Sequence, residues 1–569
     1  MINSLLLYNN NISPDFINEF HTSLGETKYF SITNQTLAKE DYSFDSVVSE
    51  FLMTLNDKKY DVIFIPVNLS TDNYLEFSGL RIGYHIRLTN GFKNQETTIV
   101  FIATETSYEI NKLSNLGEIL SCPQIFMTDK LEIDVLRKQI DFIESTPKEN
   151  ILKGFLDRIH MKPSGNYTTH HSIANEWSIM RWYKTLFTSN IIKNTANELD
   201  SIESKIKTNI YYKYLACKYN VVKVQELTNR DLKLKFNGKI LYIDDEKDKG
   251  WHELFSVLLD NTLTNKVEKF ESFGSEFFQY GKDDIVSQSV SKAKDFDLVI
   301  LDFRLTEDDY YETLPKNITG YKILEGIKTI NQGIQVVIFS ATNKVWNLQA
   351  LQDVGADGFI IKESPENSAD RNFTYESLKN LTSTINLCLY RSSYLKKIFE
   401  VISDIKIYFN SNQNLVFDEE SNQMVQYYSE YQLDVMNQLE IAFFLLDRTN
   451  VNDNIKKTNQ NLINHAFTSL YKILEYFFVE EIKEKIKLQT YDNNLKKFVP
   501  FNDKKHSELQ SGVITFLSFK LKLDPYTNNL KLKDFRDKRN GVTHPKGIKP
   551  NEKDCQNLIV FIKSLITKI

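Results

Sequence analysis

The chain has no run of about 18 apolar residues, so its sequence offers no candidate transmembrane helix and no membrane partner is expected. Its start, MINSLLLYNNN, has a short apolar stretch with no basic flank before it, and a secretory signal is not expected either. Cysteine is scarce: Cys122, Cys217, Cys388 and Cys555 lie far apart and supply neither a disulfide framework nor a CxxC metal knuckle, which fits a reducing, cytoplasmic setting. No GxxxxGK(S/T), HExxH, GxSxG or protein-kinase signature occurs, and no DNA-reading helix-turn-helix is evident.

What is present is a folded, multidomain composition. The 569 residues are too many for one hydrophobic core and suggest about four units, at about 150 residues each. Hydrophobic residues at 41% and charged residues at 25% exclude a largely disordered or collagen-like polymer. The net charge of −6 conceals an asymmetry: Ile482 to Ile569 carries 19 Lys+Arg against 9 Asp+Glu, a net +10, which leaves −16 for the rest. A basic C-terminal module on an acidic chain points to a polyanionic partner, of which nucleic acid is the commonest large example; a solvated lysine-rich helix face would give the same count.

Short apolar strands alternate with amphipathic stretches in two places, in the same order, as an internal duplication would produce. The later copy reads as strands Lys239–Ile243, Leu298–Leu301, Gln335–Phe339 and Gly358–Ile361, with helices around Trp251 to Leu259 and Tyr321 to Ile330. The earlier copy reads as strands at Leu5–Tyr8, Asp61–Ile65, Thr98–Ile102 and Gln124–Met127, with a helix near Gly79 to Arg87. Wholly apolar strands are expected when crossover helices bury a parallel sheet on both faces. A polar, mostly helical stretch separates the copies. Beyond the second, helical patterns run to the C-terminus with one loop near Gln489 to Lys505.

In an open parallel sheet, ligands collect beyond the carboxyl ends of the strands. Asp244, Asp245 and Asp302 all follow such ends in the later copy, with Ser340 and Lys362 on the same rim. Three carboxylates sharing one site call for a cation, for which Mg2+ with its oxygen ligands is suited; the lysine and hydroxyl suit an anion. This set resembles the receiver domain of two-component response regulators. The resemblance implies that Asp244 and Asp245 bind Mg2+ together with Asp302, that Asp302 accepts a phosphoryl group, and that Ser340 and Lys362 hold it. Phe359 matches the aromatic that rotates on phosphorylation. Two features depart from the family: the Asp302 to Gly320 segment is about ten residues long in excess, with acid and bulk placed at the pocket mouth, and Glu363 stands where proline is usual. In the earlier copy the same register places Asn9, Asn10, Pro66, Ala103 and Thr128, so it resembles a receiver with nothing left to phosphorylate, suited to partner binding or dimerisation.

Near the C-terminus, Arg539, Asn540 and His544 stand in a basic helical setting. On a straight helix five residues turn through about 500°, leaving arginine and histidine about 140° apart, so a break at Gly541 and Pro545 or a symmetric partner is needed to bring such groups together. Metal-independent RNA cleavage needs an acid or base near the 2′-hydroxyl and leaving oxygen and a cation on the phosphorane, roles suited to histidine and arginine. The Arg-x4-His spacing resembles the HEPN family. That resemblance implies catalytic Arg539, Asn540 and His544, a homodimer, an RNA substrate, no metal at this site, and 2′,3′-cyclic phosphate products. Glu475 is a further polar candidate, although a solvated helix face is the better account of it.

The expected fold is multidomain: two doubly wound, flavodoxin-like α/β domains and an all-α C-terminal domain. The expected divisions are a degenerate pseudo-receiver at 1–130, a mostly helical linker domain at 131–237, a receiver at 238–390, a helical linker at 391–429 and a HEPN-like domain at 430–569. The expected function is a signal-controlled endoribonuclease in stress response or antiviral defence, governed by a histidine kinase or other phosphodonor, or by a docked partner. The alternatives are a non-catalytic phosphorelay adaptor and a toxin silenced by a neighbouring nucleotidyltransferase. His170 and His171, in THHSIANEW, have no further ligand spacing around them and read as helix-packing residues.

Overall fold

The computed structural model describes residues 3–30, 41–69, 77–144, 150–161, 170–192, 200, 204, 207–219, 227–259, 266–340, 345–364, 372–418, 423–450, 456–503, 505–544 and 547–568. These form two compact units, 1–227 with 363–376 and 228–362 with 377–569. The chain therefore leaves the second unit for the first after Lys362 and returns at Ser377.

In the first unit, β1 (Ser4–Tyr8), α1 (Pro14–Ser23), β2 (Gly25–Tyr29), α2 (Asp41–Thr54) and β3 (Val62–Pro66) are followed by α3 (Ser78–Leu88), β4 (Thr98–Ile102), α4 (Ser107–Leu113), β5 (Ile125–Thr128) and α5 (Ile133–Glu144). All strand pairs are parallel, in the order β2-β1-β3-β4-β5, the flavodoxin-like arrangement. Leu136, Ile140 and Ile143 of α5 pack with Leu6, Phe64 and Val100. The domain thus extends to Glu144 rather than ending at 130, because one face of the sheet is buried by a helix that the expected boundary assigned to the linker. Helices α6 (Ile151–Leu156), α7 (His170–Thr188) and α8 (Ile210–Lys218) complete this unit. Trp177 and Trp182 of α7 are fully buried. The side chains of His170 and His171 lie outside the described residues.

A buried polar cluster ties α2, α3 and α8 together. Asp45 accepts from Arg81 at 2.7 Å, from His85 Nε2 at 2.8 Å and from the Ile210 N–H at 2.9 Å, and Lys213 Nζ donates to His85 Nδ1 at 3.1 Å, Ser49 at 2.9 Å and Thr89 at 3.0 Å. Burial would raise Asp45, but His85 and Arg81 outweigh it and hold the carboxyl well below its usual range. Burial, assisted by Lys213 and Arg81, pushes His85 down to about 4 against the pull of Asp45. Asp45, His85 and Lys213 each have hydrogen-bond partners within the cluster, which is how charge is kept in a protein interior.

In the second unit, β6 (Gly238–Ile243), α9 (Trp251–Leu259), β7 (Val267–Phe273), α10 (Lys282–Ala293) and β8 (Leu298–Leu301) precede α11 (Asp308–Tyr311), α12 (Thr319–Ile330), β9 (Gln335–Ser340), α13 (Val345–Asp353) and β10 (Gly358–Ile361). The parallel order β10-β9-β8-β6-β7 repeats that of the first sheet. β2 and β7 have no counterpart in the sequence reading, because these edge strands are only partly buried and lack the apolar runs of the inner strands.

The 39-residue α14 (Phe373–Ser411) carries the chain onward. Lys396 on it pairs with Asp297 at 3.0 Å, at the foot of β8, while Ile398, Val401 and Ile405 enter the core of the C-terminal module. The 391–429 segment is therefore no separate helical linker: its first half continues α14, and its second half holds the antiparallel hairpin β11 (Asn414–Asp418) and β12 (Gln423–Tyr427). The module then runs through α15 (Glu430–Asp447), α16 (Lys456–Glu481), the hairpin β13 (Gln489–Asp492) and β14 (Lys497–Pro500), α17 (Glu508–Thr515), α18 (Pro525–Thr543) and α19 (Glu552–Ile566). The expected all-α tail is corrected by the second hairpin. Thr490, Tyr491, Phe498 and Val499 have strand propensity, and Asp492 Oδ1 accepts from the Asn494 and Leu495 N–H groups to close the turn.

Candidate functional site

At the carboxyl end of the second sheet, Asp244 follows β6, Asp302 follows β8, and Lys362 follows β10. All three are fully buried, and Lys362 Nζ lies 2.7 Å from Asp244 Oδ2 and 2.8 Å from Asp302 Oδ2. Asp302 also accepts from the Phe303 N–H at 2.6 Å. Burial alone would lower Lys362, but the two carboxylates hold its ammonium above its ordinary range; burial raises Asp244, against the pull of Lys362 and with the repulsion of Asp302. Three aromatic residues that the sequence places in strands and a helix but not at the site wall this cluster. The Tyr242 hydroxyl donates to Asp244, and Lys362 lies 5.2 Å from the Phe339 ring centroid and 5.8 Å from that of Trp251. They have no motif of their own, being ordinary core residues until the strand ends converge.

Asp244, Asp245 and Asp302 each offer a carboxylate oxygen, all within 4.8 Å of one another. Octahedral Mg2+ at about 2.1 Å from its ligands needs oxygens about 3 to 4 Å apart, so this donor set fits the ion, and half-buried Asp245 leaves a side for water. Ser340 ends β9 and is buried, its carbonyl accepting from the Lys362 N–H at 2.9 Å. Phe359 packs half-buried against the domain core.

The long segment after Asp302 is a folded loop. Asp309, fully buried, accepts from the Leu305 N–H at 3.0 Å, the Thr306 N–H at 3.2 Å and the Thr319 N–H and hydroxyl at 3.0 Å, and pairs with Lys282 at 2.8 Å. This acid was expected at the pocket mouth, but it closes the loop from within. Gly320 is required where the loop returns, since a Cβ there would stand 2.7 Å from the Asp302 carbonyl oxygen. Glu363 is also explained: within the first unit its carboxylate accepts from Arg181 Nε at 2.9 Å and its N–H donates to Ser178 at 2.9 Å, a bond that proline could not make.

The C-terminal candidates share one end of α18 without forming a joined site. Arg539 is half-exposed, 3.7 Å from Glu475 Oε1 and 5.9 Å above the Tyr471 ring. Asn540 and His544 are exposed. No hydrogen bond or ion pair joins Arg539 to His544 among the described residues. The helix passes through Gly541 and ends at Thr543, with His544 extended at φ −102°, ψ 129°, so the break expected between Gly541 and Pro545 falls after Thr543 and not at the glycine. Gly541 serves close approach instead: a Cβ there would meet the Ile548 carbonyl oxygen at 1.9 Å. Lys549 caps this helix end, donating to the Gly541 carbonyl at 2.6 Å and the His544 carbonyl at 3.2 Å. Pro545 lies outside the described residues.

At the first sheet the same strand ends present Asn9, Asn10, Pro66, Ala103 and Thr128. Asn9 is buried and accepts from the Asn11 N–H at 3.1 Å, and among the described residues no group of three or more metal-ligating side chains stands there. Residues 13–128 match the family described as inactive receiver domain. The structure agrees with that description, because the inactive receiver keeps the sheet while losing each charged strand-end group that the second domain retains. Solved structures with detectable likeness include the yeast Spc42 trimeric coiled coil, amino acids 181–211, fused to another structure, at 19% identity and TM-score 0.19, covering 31% of this chain and 98% of that one. Another is NtrX from Brucella abortus in complex with ADP, at 17% identity and TM-score 0.18, covering 31% of this chain and 36% of that one. No curated protein matches. Among the described residues no helix is long and apolar enough to cross a membrane.

Proposed function

We propose that this chain is a signal-responsive regulator in which the second α/β domain takes a phosphoryl group on Asp302 and the C-terminal helical module carries the output. The buried Lys362 bridging Asp244 and Asp302, with Asp245 beside them, is the observation that supports this reading most. Mg2+ held by Asp244, Asp245 and Asp302 would neutralise the oxygens of the incoming phosphoryl group. A carboxylate oxygen of Asp302 attacks phosphorus, a phosphorus–oxygen bond forms, and the bond to the leaving group of a phosphohistidine or small phosphodonor breaks. Lys362 then turns from carboxylate to phosphoryl oxygen, and the Ser340 hydroxyl donates to another. Movement at β8 and β10 reaches the output through α14, which pairs with Asp297 and packs into the C-terminal core.

For the output we favour metal-independent RNA cleavage in a homodimer, with Arg539 stabilising the phosphorane, His544 as acid or base and Asn540 orienting one of them. Exposed Asn540 and His544 beside a half-exposed Arg539, in a stretch from Ile482 to Ile569 of net +10, support it. Purified protein is incubated with mixed cellular RNA in EDTA, alongside His544→Ala, and then with Mg2+ and beryllofluoride. Cleavage by wild type and loss of it in the variant is the expected result, with a rate change on beryllofluoride that Asp302→Ala abolishes. Wild type that responds to beryllofluoride but never cleaves RNA would leave a phosphorelay adaptor in place of the nuclease.

A further inference from the structure

In the C-terminal module, α15 is apolar on both of its sides. Val435, Leu439, Ala442 and Leu446 are buried and enter the core. On the opposite side Leu433, Ile441 and Phe444 are 46, 45 and 56% exposed. Ile407 of α14, 63% exposed, adjoins them: its neighbour Lys406 pairs with Glu440 of α15 at 2.9 Å, and Phe409 meets Tyr431 with ring centroids 6.3 Å apart. Single exposed apolar side chains are ordinary on a protein surface, but a patch of them on adjoining helices marks a place where another protein sits.

The charges at the two ends of the stripe decide what covers it. Glu430 opens α15 and Arg448 caps it in helical conformation, 18 positions later. Eighteen residues make five whole turns, so the two stand on one line of the helix about 27 Å apart, and Leu433, Asn437, Ile441 and Phe444 fall within about 60° of that line. Among the described residues neither Glu430 nor Arg448 is engaged in an ion pair; Arg448 lies over the Phe444 ring, 4.9 Å from its centroid. A two-fold axis through the midpoint, at residue 439, sets Glu430 against Arg448 of the partner subunit, Leu433 against Phe444 of the partner subunit and Asn437 against Ile441 of the partner subunit, each contact made twice. Parallel pairing would instead set acid against acid and base against base, and a partner of one charge sign would be repelled at one end. The stripe is thus complementary to itself reversed.

We propose that the outer face of α15 pairs antiparallel with the same face of a second copy of this chain, an inference that rests on the homodimer of the proposed output and gives it a surface. Sedimentation equilibrium of the full chain at micromolar concentration should give twice the 66.5 kDa of one chain. Ile441→Asp with Phe444→Asp should weaken association at least about tenfold at unchanged helix content by circular dichroism. Arg448→Glu sets acid against acid at both ends and should weaken it too, and adding Glu430→Arg should restore it. A monomeric wild type overturns the inference and leaves the face to a different partner. A dimer indifferent to the aspartate variant, or an Arg448→Glu defect that Glu430→Arg does not rescue, overturns it as well. Should the aspartate variant fail to fold, the charge exchange between the two helix ends decides alone. RNA cleavage is scored on the same samples: a dimer broken and rescued in this way that never cleaves RNA keeps the interface and removes the nuclease, whereas cleavage by a monomeric wild type removes the interface and keeps the nuclease.

Discussion

Two α/β domains in this chain share one topology and place opposite chemistry at its carboxyl end. The second domain puts Asp244, Asp245, Asp302 and Lys362 there. The inactive receiver has neutral residues at those positions and gathers its buried charge elsewhere, in Asp45, Arg81, His85 and Lys213 between helices. In the second domain the buried charges meet at the carboxyl end of the sheet, and Lys362 is shared between two acids there. In the first, Asp45, His85 and Lys213 spend their hydrogen bonds on one another and on neighbouring groups of the fold. Burial by itself thus does not mark a reactive group; a partner that can be exchanged for a ligand does.

The largest expected contrast is covalent. With acetyl phosphate and Mg2+, radiolabel should enter the chain at Asp302, and Asp302→Asn should abolish it. Residual label mapped to the inactive receiver would break the comparison. Next, Lys362→Met leaves Asp244 and Asp302 buried without their cation and should destabilise the second domain by about 3 to 5 kcal/mol, read as faster amide exchange in β6 and β9. Exchange unchanged in those strands would show that the acids, not the lysine, organise the site.

The inactive receiver should respond to acid through His85. Its folded value of about 4 lies below the ordinary 6.5, so the unfolded chain binds the extra proton first. Stability is therefore fully present above about pH 6.5 and falls as pH drops from there towards 4, by up to about 3 kcal/mol. Denaturant melts monitored by exchange in β1 and β4 should show that slope, and His85→Gln should flatten it. The smallest effect is expected at Asn9, whose amide nitrogen has no partner: Asn9→Ala should cost about 1 kcal/mol or less, whereas Asp244→Ala strips Lys362 of a buried counter-ion and should cost several times more. Equal costs would mean that Asn9 has a structural partner.

The inner strands and the polar residues at their ends are readable because a both-faced parallel strand must be apolar and its first polar residue marks its end. Asp244, Asp302 and Lys362 announce themselves in this way. β2 and β7 were not readable, since half-exposed edge strands carry mixed residues such as Glu26, Lys28, Glu268 and Lys269. Nor was the polar core: Asp45, His85 and Lys213 are distant in sequence and follow no spacing rule. In the C-terminal module the sequence predicts only a loop near Gln489 to Lys505, because strand propensity in Thr490 to Val499 is short and interrupted by charge, and only the closed turn at Asp492 makes it a hairpin.

By itself the sequence determined the duplication of a parallel α/β fold, which copy kept its acids, and the basic character of the C-terminal module, because periodicity, strand-end residues and net charge are local properties. Tertiary structure decided that Asp309 closes a loop, that Glu363 pairs with Arg181, and that Gly541 permits a backbone crossing. Those outcomes depend on which groups meet after the chain is folded, and burial then sets the energy of each meeting.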